Sequence, residues 1–324
     1  MPLQSRHGPR NDKGGDMRIL VLGAGGTGGY FGGRAAQAGA DVTFLVRPAR
    51  AERLRAEGLR IQSPRGDAVV PVQTVRADAL EPGYDVIILS CKAYDLDSAI
   101  EAIRPAVGEH TAVLPIMNGM LQYDLLDRAF GAQRVYGGLC QINATLGKDG
   151  EVIHMGQHAN FVFGERAGEA RSARAVALDA VLSKADFSCR LSDEIYQDIW
   201  EKYMFLTTLA AATCLMRGSV GQICSQPDGA VFLRDLLRES QQVAAASGFP
   251  ARPAAEEHAL KVFTDPAQPM TASMFRDLRQ GLRVEADHIV GDMIARGAQQ
   301  GVATPLLRLA YTHLQVYQAQ RAAA

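Results

Sequence analysis

The residues with the most evident chemical use form a glycine-rich turn, Gly23-Ala24-Gly25-Gly26-Thr27-Gly28, directly after the apolar run at residues 17–22. Where a strand leads through a G-x-G-x-x-G turn into a helix, backbone N–H groups and the positive helix end face a bound pyrophosphate. We expect Gly23 to permit the tight turn, Gly25 to let phosphates reach the backbone, and Gly28 to let the helix pack on the strand. The pattern predicts a dinucleotide site, with a glycine turn that binds nothing as the alternative.

The residue after the second predicted strand, residues 41–46, selects between dinucleotides. At this position, about twenty residues beyond the glycine turn, Asp or Glu would hold a free 2′-hydroxyl of the adenosine ribose. Arg47 stands there instead and can pair with a 2′-phosphate. We therefore predict NADP(H) as the cofactor. Because Arg50 and Arg53 follow, a solvated arginine cluster at a helix start is the alternative interpretation.

A lysine in the second half of the chain lies on an apolar helical stripe. A predicted helix from residue 193 to about residue 212 places Lys202 in line with Ile195, Ile199, Leu206 and Leu209. A lysine at such a position indicates a functional role. The alternative is a side chain that reaches the surface, since this helix is apolar almost all round.

Glu285 is a second charged residue in an apolar pattern. It shares a predicted helical stripe with Ile289, which we extend to Leu278 and Leu282, although Gly281 could break that helix. The alternative is an exposed glutamate near a helix N-terminus, where the helix dipole favours a negative charge.

The elements that must position these residues follow from the periodicity. In the first half, apolar runs alternate with helical patterns, which predicts a doubly wound α/β fold with a parallel sheet. Residues 85–90 and 111–116 are further predicted strands, and Cys91-Lys92 and Asn118-Gly119 follow them, where such sheets bind ligands. Shorter alternating runs between residues 134 and 164, such as Asn160-Phe161-Val162-Phe163, predict more strands. From residue 193 the pattern is helical, so we place a domain boundary there.

The composition narrows the functional classes. A length of 324 residues with 47% hydrophobic residues suggests two globular domains. The net charge of -1 argues against nucleic acid and anionic membrane as partners. No apolar stretch reaches membrane-spanning length, and we interpret residues 1–16 as a disordered leader. The scattered cysteines indicate neither a disulfide framework nor a metal site and fit a reducing cytoplasm; they are Cys91, Cys140, Cys189, Cys214 and Cys224.

An ordered set of motifs makes the chain resemble the ketopantoate reductase family from Met17 to about Gln315. The motifs are Gly23–Gly28, Leu45-Val46-Arg47, Cys91-Lys92-Ala93-Tyr94, Asn118-Gly119-Met120, Trp200-Glu201-Lys202, and Ser273-Met274-Phe275-Arg276-Asp277 with Val284-Glu285-Ala286-Asp287. The resemblance implies a Rossmann domain at residues 17–192 and an all-helical domain at residues 193–324, similar to the C-terminal domain of 6-phosphogluconate dehydrogenase. The active site would lie in the cleft between them.

The same resemblance implies a role for each matching side chain. Lys202 corresponds to the catalytic lysine and Glu285 to its acidic partner, which also meets a substrate hydroxyl. Ser273 corresponds to the serine that holds the substrate carboxylate, Asn118 to an asparagine near nicotinamide and substrate, and Lys92 to a residue beside the cofactor. These residue types suit ketone reduction, because a positioned ammonium can stabilise charge on the carbonyl oxygen and donate a proton.

The chain also departs from the family pattern. Leu206 and Ala210 stand where the pantothenate enzymes carry asparagines, and the K-x-x-Q motif reads Lys92-Ala93-Tyr94-Asp95. Loss of polar substrate contacts weakens selectivity for a small hydroxylated acid. We therefore expect an NADPH-dependent 2-keto acid reductase with ketopantoate as first candidate substrate and a bulkier or more apolar keto acid as the alternative.

Other functional classes stay open at this point. A non-catalytic NADP(H) sensor, a related hydroxy acid dehydrogenase and a methyltransferase are the alternatives. The retained Lys202 and Glu285 argue against the sensor, and Arg47 argues against the methyltransferase. The sequence leaves a homodimer open.

Overall fold

The structure, a computed structural model, describes residues 17–323, so the predicted leader at residues 1–16 lies outside the described residues. The strands are β1 (Arg18–Leu22), β2 (Asp41–Leu45), β3 (Leu59–Gln62), β4 (Ala68–Val70), β5 (Gln73–Val75), β6 (Val86–Leu89), β7 (Ala112–Pro115), β8 (Gly137–Leu146), β9 (Val152–Gly164) and β10 (Ser188–Leu191).

The α-helices are α1 (Gly26–Gln37), α2 (Pro48–Glu57), α3 (Leu96–Ile103), α4 (Leu121–Phe130), α5 (Ala173–Leu182), α6 (Ile195–Met216), α7 (Val220–Cys224), α8 (Gly229–Ala246), α9 (Pro253–Phe263), α10 (Ser273–Arg279), α11 (Asp292–Gln299) and α12 (Pro305–Ala323). A π-helical segment at Asp287–Gly291 precedes α11, and short 3-10 helices cover Ala77–Ala79, Ala93–Asp95, Arg104–Ala106 and Ala132–Arg134.

The first sheet is fully parallel, with the strand order β5-β2-β1-β6-β7. Alternate residues of β1 point to opposite faces: Ile19 and Val21 pack with α1, whereas Leu20 packs in the core that contains α3 and α4. The sheet is therefore covered by helices on both faces. The predicted doubly wound α/β fold is confirmed, and the four predicted strands agree with β1, β2, β6 and β7 to within one residue at each end.

A second, mixed sheet packs on the other side of α1. Its order is β10-β9-β3-β4, and β8 pairs with β9 as a long antiparallel hairpin. The alternating runs predicted between residues 134 and 164 form this hairpin. The sequence did not indicate β3 and β4, because these strands are short and β3 joins the sheet through pairing with the distant strand β9, Ile61 with Val152 and Gln62 with Ile153.

The remaining described residues, from α6 onward, form helices and no strand. The long helix α6 packs against α8, α10 and α12, and its apolar residues share one core with one face of the parallel sheet. Helix α6 ends about one turn later than predicted, because Thr213 and Cys214 continue its buried side and the first left-handed residue is Arg217 (φ 55°). The predicted domain boundary falls in the link between β10 and α6 and stays a prediction.

None of the described helices combines the length and apolar character needed to cross a membrane. Within residues 17–323, no group of three or more His, Cys, Asp and Glu side chains is placed to hold a metal ion.

Candidate active site

The glycine turn forms an open cradle between β1 and α1. Gly23 has a φ of 85°, which favours glycine, and a Cβ added at Gly25 would meet no atom within 4 Å. The first turn of α1 carries no acidic side chain, and its N-cap residue Gly25 offers no side chain to satisfy the N–H groups. This open, positive helix end fits the pyrophosphate of a dinucleotide.

Gly28 fixes the position of this helix. A Cβ at Gly28 would lie 2.1 Å from Oγ of Ser90, the residue that follows β6. Helix α1 therefore approaches the sheet closely at the crevice between β1 and β6, where the order of the strands reverses. Sheets of this topology bind their ligands at that crevice.

Two arginines border the cradle on the side of β2. Arg47 is exposed and forms the N-cap of α2, directly beyond the end of β2. Arg50 lies in the first turn of α2, and its Nη2 donates a hydrogen bond of 2.9 Å to the backbone oxygen of Ala24 in the glycine turn. Arg50 had no assigned role in the sequence analysis, although its spacing from Arg47 was visible there.

The lysine predicted from the helical stripe lies where α6 meets the loop after β7. Helix α6 carries Lys202, whose Nζ donates a hydrogen bond of 3.0 Å to Oδ1 of Asn118, in the loop after β7. The contact joins residues that are 84 positions apart in sequence. The structure thus brings together two of the residues named above, one from each half of the chain.

The surroundings of Lys202 adjust its acidity. Burial lowers the pKa of the Lys202 ammonium below its ordinary value, while the neighbouring Cys140 and Glu285 act in the opposite direction. The hydrogen-bond partner, Asn118, is a neutral amide and adds no charge. Lys202 can therefore release a proton more easily than an ordinary surface lysine.

The Asn118 loop is held from the other side by the helical half. Gly119 has a φ of 97°, and a Cβ at this position would lie 2.7 Å from the backbone oxygen of His288. Only glycine allows this close approach of the π-helical segment. Asn118 is therefore positioned by this backbone contact of its neighbour Gly119 and by its hydrogen bond from Lys202.

Glu285 is buried, with 6% of its surface exposed, but it does not lie on the helical stripe that was predicted for it. Helix α10 ends at Arg279, and the left-handed Gly281 (φ 72°) prevents the helix from continuing. The predicted helical stripe through Leu278 and Leu282 is therefore wrong. Leu282 is 47% exposed. Glu285 instead stands at the start of the next helical segment, where its backbone oxygen accepts from the N–H of Ile289.

The side chain of Glu285 points to the end of β6. Its Oε2 accepts a hydrogen bond of 3.2 Å from Nζ of Lys92, and its Oε1 accepts one of 3.0 Å from the backbone N–H of Ala93. The structure pairs Glu285 directly with Lys92. Its influence on Lys202, the partner implied by the resemblance, is electrostatic, since the two side chains share no hydrogen bond within residues 17–323.

Lys92 has a second acidic partner that the sequence analysis missed. Oδ2 of Asp277 on α10 accepts a hydrogen bond of 2.7 Å from Lys92 Nζ. Burial favours a lower pKa of Lys92, but Glu285 and Asp277 outweigh it and raise the pKa above its ordinary value. The available signal was the motif Ser273-Met274-Phe275-Arg276-Asp277, in which only Ser273 received a role.

Ser273, the predicted carboxylate-binding residue, is the first residue of α10 and is partly buried. Among residues 17–323 its hydroxyl has no hydrogen-bond partner, so it is available to a ligand. It lies four residues before Asp277, which places both side chains on one face of the helix. Helix α10 also contacts the second sheet, since Nη1 of Arg276 donates a hydrogen bond of 2.8 Å to Oδ1 of Asn143 in β8.

The parallel sheet, the open glycine turn and a lysine beside the loop after β7 are typical of a dinucleotide-dependent oxidoreductase. Comparison with known proteins agrees. The model of the family "Ketopantoate reductase PanE/ApbA" matches residues 19–168, and the model of its C-terminal part matches residues 194–318. The chain belongs to the ketopantoate reductase family, and it is an oxidoreductase with a nicotinamide cofactor.

Individual relatives cover nearly the whole chain. An uncharacterized oxidoreductase of Bacillus subtilis (strain 168), YkpB, is 39% identical over 306 residues, which is 94% of this chain and all of that protein. The crystal structure of 2-dehydropantoate 2-reductase from Geobacter metallireducens GS-15 is 29% identical, with a TM-score of 0.82 and coverage of 92% of this chain and 99% of the other.

A third solved structure shares the fold. D-mandelate dehydrogenase, determined with NADH and anilino(oxo)acetate, is 23% identical with a TM-score of 0.83 and covers 94% of this chain and 99% of its own. At this identity the similarity concerns the fold alone.

Proposed function

We propose that the protein reduces a 2-keto acid to the 2-hydroxy acid with NADPH, and that Lys202 is the general acid. The observation that carries this proposal is the hydrogen bond of 3.0 Å between Lys202 and Asn118, which places a lysine of lowered pKa at the carboxyl end of the parallel sheet. An ammonium there can stabilise the negative charge that grows on a ketone oxygen and can then supply the proton.

The other residues named above complete the proposed site. Gly23, Ala24, Gly25, Gly26, Thr27 and Gly28 would hold the pyrophosphate of the cofactor, which supplies the hydride when bound. Ser273 would bind the substrate carboxylate through its unpartnered hydroxyl. Asn118 would orient the Lys202 ammonium toward the carbonyl oxygen. Glu285, held by Lys92, would receive a substrate hydroxyl.

The preference for NADPH over NADH rests on Arg47. Its exposed position at the end of β2 supports contact with a 2′-phosphate. We expect Arg47→Asp to shift the preference toward NADH. Titration of each dinucleotide against the fluorescence of Trp200, the single tryptophan, measures this directly; an unchanged preference would mean that the 2′-phosphate is recognised elsewhere.

Ketopantoate, and with it a role in pantothenate biosynthesis, is our first candidate for the substrate. A bulkier or more apolar 2-keto acid is the second, because Leu206 and Ala210 follow Lys202 at one and two turns of α6 and offer no polar group.

A panel of 2-keto acids tests the proposal. Ketopantoate and acids with branched or aromatic side chains are mixed with protein and NADPH, and loss of NADPH absorbance is followed. We expect turnover of at least one acid and its loss in Lys202→Ala. The control Lys261→Ala removes the same charge from the exposed side of α9 and should behave as wild type. Full turnover in Lys202→Ala would refute the assignment of the acid.

We further propose a cytoplasmic location and a homodimer. The five cysteines are free thiols in the structure, which agrees with a reducing compartment. Sedimentation of the purified protein measures the oligomeric state.

A further inference from the structure

A second arginine is fastened to the glycine turn. Arg50 lies three residues after Arg47, and its Nη2 donates a hydrogen bond of 2.9 Å to the backbone oxygen of Ala24. Its Nε is buried without a hydrogen-bond partner within residues 17–323. The guanidinium thus keeps an unused donor at the border between the pyrophosphate turn and the end of β2.

The charge around Arg50 is positive. Burial lowers the pKa of Arg50, and the positive charges of Arg53 and Arg60 lower it further, while Glu57 opposes them. The Glu57 carboxylate is already shared, because its Oε2 lies 3.4 Å from Arg53 Nε and 3.6 Å from Arg60 Nη2. Arg50 has no carboxylate of its own among the described residues. A bound anion would relieve this repulsion.

The backbone also limits where the Arg50 side chain can move. Gly150 lies in the turn between β8 and β9, and a Cβ there would lie 2.5 Å from Nη1 of Arg50 and 3.2 Å from Nη1 of Arg53. The turn therefore forms a wall against the two guanidinium groups. An arginine whose Nη1 lies against this turn and whose Nη2 is bonded to Ala24 is preorganised to bind an anion.

The start of helix α2 lies in the same place. Its N-cap, Arg47, makes no capping hydrogen bond, so N–H groups of the first turn of this ten-residue helix have no side-chain partner. The N-terminal end of the helix carries a partial positive charge. Arg47, Arg50 and this helix end surround the point where the adenosine ribose is expected, between the glycine turn and β2.

We propose that Arg50 is a second ligand of the cofactor 2′-phosphate, so that NADP(H) preference depends on both arginines. This inference rests on the NADPH preference of the proposed function. Arg47 would approach the phosphate from the strand end. Arg50 would bind it from the side of the glycine turn, which couples the recognition of the 2′-phosphate to the geometry of the pyrophosphate turn.

Binding of cofactor fragments tests Arg50 without catalysis. The affinities of 2′,5′-ADP and 5′-AMP are measured by isothermal titration calorimetry for wild type, Arg50→Gln, Arg50→Lys and Arg55→Gln. Arg55 is exposed on the same helix and makes a matched control for the charge change. Since a hydrogen bond between charged groups contributes about 1.5–3 kcal/mol, we expect Arg50→Gln to lower the affinity for 2′,5′-ADP by about tenfold or more.

The other measurements separate the explanations. Affinity for 5′-AMP should change by less than about twofold in Arg50→Gln, Arg55→Gln should resemble wild type, and Arg50→Lys should retain part of the 2′,5′-ADP affinity because the charge remains. Equal weakening of both fragments would make Arg50 a support of the glycine turn only and overturn the inference, as would unchanged affinity for 2′,5′-ADP. A wild-type protein that binds both fragments equally would instead overturn the NADPH preference itself.

Discussion

The hydrogen bond between Lys202 and Asn118 predicts that these two residues act as one unit. Asn118 Oδ1 is the acceptor that the structure gives to the Lys202 ammonium, at 3.0 Å. Hydrogen bonds to a charged group contribute about 1.5–3 kcal/mol, which corresponds to a factor of roughly 10 to 150. We therefore expect Asn118→Ala to lower kcat with the best keto acid by a factor in this range, because the ammonium loses its orientation.

Lys202→Ala removes the proposed acid and should lower kcat by about 10² to 10⁴. Once the ammonium is absent, Asn118 has nothing to orient, so the double variant should resemble Lys202→Ala alone. The assay is steady-state NADPH oxidation for wild type, both single variants and the double variant, with NADPH affinity from Trp200 quenching as a check on cofactor binding.

The expected affinity for NADPH in Lys202→Ala is close to that of wild type. The reasoning fails if the effects of the two substitutions multiply, since Asn118 would then act independently of the lysine. It also fails if Asn118→Ala lowers the rate only by weakening the binding of NADPH. Lys261→Ala, on the exposed side of α9, serves as the charge control.

Three further predictions follow from the local environments. Burial lowers the pKa of Lys202 below its ordinary value of 10.5, so the ammonium should lose its proton, and ketone reduction should slow, at a pH below 10.5. A pH–rate profile of kcat measures this. Asp277→Asn removes one carboxylate from Lys92; we expect a several-fold to tenfold loss of kcat/KM through the position of Glu285, with NADPH affinity retained, and steady-state kinetics decide. Burial also lowers the pKa of His154, so the unfolded chain binds more protons and stability should fall as pH drops through about 6.5; urea unfolding at two pH values, with His154→Gln as comparison, should show a weaker pH dependence in the variant.

The parts of the fold that the sequence predicted correctly depend on local patterns. The runs that became β1, β2, β6 and β7 are continuous apolar stretches, and the glycine turn is defined by six consecutive residues. Lys202 stood out because a charged side chain interrupts a regular helical stripe. Each of these signals needs only a few neighbouring residues, and each could be read without knowledge of the tertiary structure.

The features that the sequence did not predict depend on contacts between distant residues. Lys92 and Glu285 are 193 positions apart, and no periodicity links the end of β6 to the segment before α11. The pairing of β3 with β9 likewise joins Ile61 to Val152. The stripe drawn through Glu285 failed because Gly281 ends the regular structure, so a correct residue was reached through an incorrect helix.

Lys92 and Lys202 differ in the net direction of their pKa shifts, and this difference separates their proposed roles. Two carboxylates hold Lys92 and raise its pKa, so its ammonium stays charged and serves to fix Glu285 and α10. Lys202 faces a neutral amide, and burial lowers its pKa, so its proton is the easier one to release. Where neighbouring groups are shifted in opposite directions, the group with the more labile proton is the better general acid. We infer that Lys202 donates the proton and that Lys92 holds the site together, a division that the two substitutions Lys202→Ala and Asp277→Asn can distinguish.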